Sequence, residues 1–115
     1  MGFGPMVPLP DEAFVCRGGT CAADRFRDGS GVSVDAAGRL HGVSVNCASS
    51  ASVAALTASI PNRVVGVTTV GKIHHLGGSV IPAPSWKNGF HCILGGMTAE
   101  QAAGLFTPPV ANPNR

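Results

Sequence analysis

Glycine and proline constrain this chain more than any other feature, with sixteen glycines and nine prolines among its 115 residues. Glycine adopts backbone angles that other residues avoid, while proline fixes φ and removes a backbone donor. Long uninterrupted helices are therefore excluded. Short elements joined by many turns are expected, which favours a β-rich or α+β domain over a helical bundle. At this length one hydrophobic core fits and two do not. Hydrophobic residues make up 44% of the chain and charged residues 12%, too apolar for disorder. The apolar residues are scattered, with no run near the ~18 that a membrane span requires. So sparse a charge suits a domain that is one piece of something larger or is masked by a partner.

The net charge is +2, and no run of Lys or Arg signals stable binding to DNA or RNA by charge alone. The acidic residues are lopsided. Asp11, Glu12, Asp24, Asp28 and Asp35 lie in the first third, and Glu100 alone lies beyond. Cys16, Cys21, Cys47 and Cys92 show no C-x-x-C spacing, and no H-x-x-x-H accompanies them, so no metal is expected. Met1-Gly2-Phe3-Gly4-Pro5 lacks the charged and apolar regions of a secretory leader, so a disulfide framework is not expected either. Cys16, Cys47 and Cys92 are predicted to be reduced, buried thiols that pack as small hydrophobes.

Along the chain, residues 1–12 read as an extended arm and 13–115 as a single domain. A first strand is predicted over 13–18. A helical turn follows over 20–26, with Thr20 as its N-cap. Residues 32–34 and 39–46 form strands around a 35–38 turn, and 50–58 a short helix stopped by Ile60-Pro61-Asn62. The Val- and Thr-rich 63–73 reads as the longest strand. His74-His75 then falls in a turn, where adjacent residues point apart and make poor joint ligands. Residues 79–81 read as an edge strand cut off by Pro82, and 90–94 as a further strand. Thr98-Ala99-Glu100-Gln101 is a capping box opening a helix of about two turns, which Pro108-Pro109 ends. Residues 111–115 read as a tail. The sum is α+β, with five or six short strands and two or three small helices.

Two segments carry chemistry. In Val15-Cys16-Arg17-Gly18-Gly19 a strand ends on a lone Arg beside backbone without side chains. A guanidinium binds oxyanions bidentately, and glycine lets a ligand approach the main chain. In His41-Gly42-Val43-Ser44-Val45-Asn46 an apolar strand carries one hydroxyl next to a glycine. Together they point toward a nucleotide site. Each residue also has a plainer reading: Arg17 as a solvent-facing charge that adds little to the core, Ser44 as an outward hydroxyl, His91 as a core histidine.

The order of the Arg-Gly-Gly strand, the Gly-Val-Ser-Val-Asn strand and the Val-rich strand resembles small ADP-ribosyltransferase-fold toxins. So does the close, where Phe90-His91-Cys92-Ile93 precedes Met97-Thr98-Ala99-Glu100-Gln101. These are effector domains at the C-termini of bacterial polymorphic and type VI-secreted toxins, and the likeness covers residues 13–106. The resemblance implies a split, twisted β-core that binds NAD, as substrate, in a cleft. It implies that Arg17, with Gly18 and Gly19, holds the phosphates and ribose, and that Ser44 shapes the nicotinamide pocket. A third residue, usually an acid, acts on the ribose and the acceptor. Here no acid occupies a strand after residue 35, so His91 is the first candidate and Glu100 the second. The resemblance further implies secretion, action in a target cell's cytoplasm, and a cognate immunity protein. Protein, RNA and water are all open as acceptor.

Irrespective of family, cleaving the nicotinamide–ribose bond builds positive charge on the sugar and needs fixed geometry. Arg17 would position the ligand, Ser44 would make one hydrogen bond, and His91 would orient a ribose hydroxyl or take the acceptor's proton. Trp86, isolated in a Pro/Asn/Gly loop, reads either as a stacking face for nicotinamide or acceptor, or as a hydrophobic plug. Two other classes compete. A ribonuclease-type toxin would draw two of His41, His74, His75 and His91 into one cleft, with Arg17 or Lys72 on phosphate. A non-catalytic binding or immunity module would show an apolar patch in place of a charged cleft.

Overall fold

Alternation of buried and exposed residues sets up the sheet on which everything else rests. The computed structural model describes residues 8–115, so the first seven positions of the expected arm lie outside the described residues. Past them, Leu9 packs against the core and the Asp11 carbonyl accepts the Gly71 N–H at 2.8 Å. The chain then forms β1 (Phe14–Gly18), α1 (Ala23–Arg27), β2 (Ser33–Val34), β3 (Leu40–His41) and β4 (Val43–Cys47). It continues as α2 (Val53–Thr57), β5 (Val64–Thr69), α3 (Val70–His75), β6 (Ser79–Pro82), β7 (His91–Gly95), α4 (Ala99–Phe106) and β8 (Val110–Ala111). Six strands form one antiparallel sheet in the order β6-β7-β4-β1-β5-β8, and β2 and β3 form a separate hairpin. The domain is α+β.

One face of the sheet carries the main core. Val15, Val43, Val45, Cys47, Cys92 and Leu94 meet Phe26 of α1, Val70 and Ile73 of α3, and Ala102 and Phe106 of α4. The rings of Phe26 and Phe106 lie 5.5 Å apart, joining the two helices. Because side chains alternate along a strand, Cys16 and Asn46 point to the opposite face. There α2 packs over β1 and β4, and Asn46 donates to the Leu56 carbonyl at 2.8 Å.

Several sequence expectations are corrected, each for a local reason. The helical turn starts at Ala23 rather than Thr20, because Cys21 takes a left-handed φ of 57° and the N-cap falls on Ala22. The strand expected over 39–46 is two strands in different sheets. Gly42, at φ 82°, breaks it, and a Cβ there would sit 2.6 Å from the Gly31 carbonyl oxygen. The long strand expected over 63–73 stops at Thr69, whose hydroxyl accepts from Lys72 N at 3.4 Å and caps α3. His74 and His75 are therefore helical rather than in a turn.

The expected tail instead contributes β8, which pairs with β5. Beyond it Asn112 is buried and donates to the Ile60 and Asn62 carbonyls, both at 3.0 Å. Among the described residues there are eight strands and four helices, more than the sequence pattern suggested. No helix among them is long and apolar enough to cross a membrane.

Cys16, Cys21, Cys47 and Cys92 are all free and buried. Burial pushes the Cys16 thiol up to about 11. The Cys47 thiol is raised by its hydrogen bond with Cys92 and by burial. The Cys92 thiol is lowered by the same hydrogen bond, so it is burial, common to all four, that should make them resist a disulfide reagent at neutral pH in the native protein and react together in denaturant. Fast reaction of any one of them in the native state would contradict this packing.

Candidate functional site

The site begins where two strands part. β1 pairs with β4 only through Val15↔Cys47 and Cys16↔Asn46, whereas its pairing with β5 runs on to Gly18↔Val65. Arg17 stands at the opening. Its guanidinium donates from one NH2 group to the Ser44 carbonyl at 2.7 Å and from the other to the Arg25 carbonyl at 3.3 Å. The guanidinium carbon lies 5.1 Å from the centre of the Phe26 ring, a cation–π contact. Burial lowers the Arg17 pKa from its usual value. A guanidinium has five N–H donors, and these two bonds leave three.

This geometry corrects one expectation, that Arg17 adds little to the fold. The side chain ties β1, β4 and α1 together at the gap. The neighbouring glycines divide in role. A Cβ on Gly18 would sit 2.2 Å from Asn62 Oδ1, so this glycine makes room for the chain's own 60–62 loop. At Gly19, with φ 96°, the space is open, the nearest atom to an added Cβ being Asn62 Nδ2 at 3.7 Å.

Two cavities flank Arg17 and Gly18. The larger, about 550 Å³, is lined by Gly19, Arg25 and Arg63 together with Asp24 and Asp28. The smaller, a notch of about 310 Å³, contains Ser44, His91, Asn46, Asn88 and Asn62. Arg17, Ser44 and His91 thus come from β1, β4 and β7, three adjacent strands, and line one notch.

Register explains the meeting of the last two. His91 pairs with Asn46 and Ile93 with Ser44, so Ser44 and His91 are diagonal neighbours on one face of the β4–β7 ladder. His91 Nε2 lies 3.1 Å from Ser44 Oγ, and His91 Nδ1 lies 2.9 Å from the Ala83 carbonyl oxygen. A carbonyl only accepts, so Nδ1 carries the proton and Nε2 is the acceptor for the Ser44 hydroxyl. Asn88 donates to Asn46 Oδ1 at 2.8 Å and its own Oδ1 accepts from Phe90 N, fastening the loop before β7 to the notch.

The other candidates lie elsewhere. Glu100 is in the first turn of α4, pairs with Arg27 of α1, and lines neither cavity. Trp86 is 91% exposed, with the Lys87 ammonium 5.1 Å from its ring centre, so it neither plugs nor lines the notch. His41 pairs with Asp35 at 2.9 Å and His74 with Asp11 at 3.4 Å, and neither they nor His75 line a cavity with His91. Among the described residues no cluster of His, Cys, Asp or Glu is arranged to hold a metal ion.

Sequence reasoning missed Asn46, Asn62 and Asn88. Asn88 was legible only as the first half of an Asn88-Gly89 turn, and the other two only as strand and helix ends. No family model, curated protein or solved structure matches the chain.

The carbonyl bonds of Arg17 make a direct prediction. Arg17→Ala removes two charge-assisted bonds and should lower stability by roughly 1–3 kcal/mol in chemical denaturation. Arg17→Lys, which can reach one carbonyl at a time, should fall between the two. An Arg17→Ala protein as stable as the parent would show that the guanidinium does not hold the gap.

Proposed function

We propose that this domain consumes NAD, cleaving the nicotinamide–ribose bond as a mono-ADP-ribosyltransferase or an NAD glycohydrolase. The observation that carries the reading is the convergence of Arg17, Ser44 and His91 on one notch at a split in the sheet. Arg17 keeps three donors for a diphosphate or ribose oxygen while two others fix its plane. Gly19 leaves open backbone in the adjoining cavity, where Arg17, Arg25 and Arg63 outnumber Asp24 and Asp28. The two cavities share Arg17 and Gly18, so a dinucleotide would lie across them with that strand end beneath its phosphates.

The third role falls to His91. Its Nε2 is an acceptor by virtue of the Ala83 carbonyl, so it would orient a ribose hydroxyl or take the acceptor's proton. Glu100, held by Arg27, has no part in this reading. With a histidine where an acid is usual, water or an acceptor carrying its own strong nucleophile is the favoured partner. A secreted effector acting in a target cell's cytoplasm, restrained by an immunity protein that covers the notch, completes the proposal. The ribonuclease alternative needs two imidazoles in one cleft, and His91 is the one histidine lining the notch. The binding-module alternative needs an apolar patch in place of a charged cleft, whereas the notch is lined by Arg17, His91 and three asparagines.

The test is incubation of the purified protein with NAD, with and without cell extract, followed by chromatography for nicotinamide. Nicotinamide should accumulate, and Arg17→Lys should nearly abolish it because a point charge cannot replace the fork. Ser44→Ala should slow release about tenfold, the worth of one neutral hydrogen bond. No nicotinamide in either mixture would refute the proposal.

A further inference from the structure

The Ser44–His91 pair has a property that positioning a ligand does not require. A serine becomes a nucleophile when a base sits within hydrogen-bond reach and a third group orients that base. Here Ser44 Oγ lies 3.1 Å from His91 Nε2, and the Ala83 carbonyl, 2.9 Å from Nδ1, holds the productive tautomer. Both residues sit on paired strands, so rigid backbone rather than a loop sets their separation. Ser44 is exposed and opens into the 310 Å³ notch, where a small substrate can reach Oγ. Arg17, bonded to the carbonyl of Ser44 itself, is the one side chain of permanent charge lining that notch. Its bond to Ser44 is made to the main-chain carbonyl, which fixes that stretch of β4 from behind and leaves Oγ to His91.

We infer that Ser44 is a nucleophile activated by His91, and that the notch cleaves small carboxylic esters by acyl transfer. The Oγ lone pair forms a bond to the ester carbonyl carbon while the hydroxyl proton passes to His91 Nε2. The carbonyl π electrons move onto oxygen. Collapse of that intermediate expels the alkoxide, which takes the proton from Nε2 and leaves Ser44 acylated. Water, deprotonated by His91 in the same way, then releases the acid and restores the serine. This inference stands on the pair itself and is independent of the NAD reading.

The test uses the whole 115-residue chain and a fluorophosphonate probe, which forms an Oγ–P bond as fluoride leaves and the proton goes to His91. Peptide mapping should find one adduct, on Ser44. p-Nitrophenyl acetate should release a burst of nitrophenolate close to one equivalent. His91→Ala should slow labelling at least about 100-fold, the usual worth of a general base, and added imidazole should restore part of it. In the otherwise unaltered protein, Ser44→Ala should remove both the adduct and the burst. This measurement decides the matter even where His91→Ala fails to fold. An unlabelled Ser44, a label on another hydroxyl, a burst that survives Ser44→Ala, or a labelling rate indifferent to His91 would each overturn the inference.

Discussion

A single guanidinium decides how the centre of this sheet is built. Where β1 leaves β4 after Cys16↔Asn46, the Ser44 carbonyl takes a side-chain donor, Arg17, at 2.7 Å. A half-buried cation needs partners, and Arg17 finds two carbonyls and an aromatic face. The same contacts bind β1 to β4 and to α1, so the gap between the strands is a held feature and not a frayed end. Ser44 and His91, on the strands beyond the gap, then face a space that continued pairing would have closed.

Around that gap the chain fills some openings and leaves others. Asn62 and Ile60 occupy the space above Gly18, and Asn46 and Asn88 lock the loop before β7 against α2 and β4. What stays open is a larger cavity beside Gly19 and a notch beside Ser44 and His91, with Arg17 and Gly18 lining both. Permanent charge in the larger cavity comes from Arg17, Arg25 and Arg63, opposed by Asp24 and Asp28.

Local chemistry was the part of this fold that the sequence made legible. The Thr98/Gln101 capping box is formed in both directions, Thr98 Oγ1 accepting from Gln101 N and Gln101 Oε1 accepting from Thr98 N. Pro82 marks an edge strand, as a residue without a donor must. The failures came where two local preferences competed. Val64 to Val70 is β-branched almost throughout, which hid the Thr69 cap, and a tertiary bond from Gly71 to Asp11 favours the helix. β8 was unreadable because its pairing with β5 depends on contacts about 45 residues away in sequence. At the site, Arg17, Ser44 and His91 stood out by residue type, whereas the partners that orient them are backbone carbonyls, which leave no mark in a sequence.

The central claim is that Arg17 sits at the middle of a nucleotide-binding cleft. It is tested most directly by titrating NAD into protein carrying ¹⁵N-labelled arginine and glycine and following the Arg17 Nε–H signal. Saturable shifts should appear at Arg17 Nε–H and at the Gly18 and Gly19 amides, while Arg27, paired with Glu100, and Gly104 within α4 stay still. An Arg17 signal unmoved by saturating NAD would contradict the account, and so would small shifts scattered over every arginine and glycine of the chain.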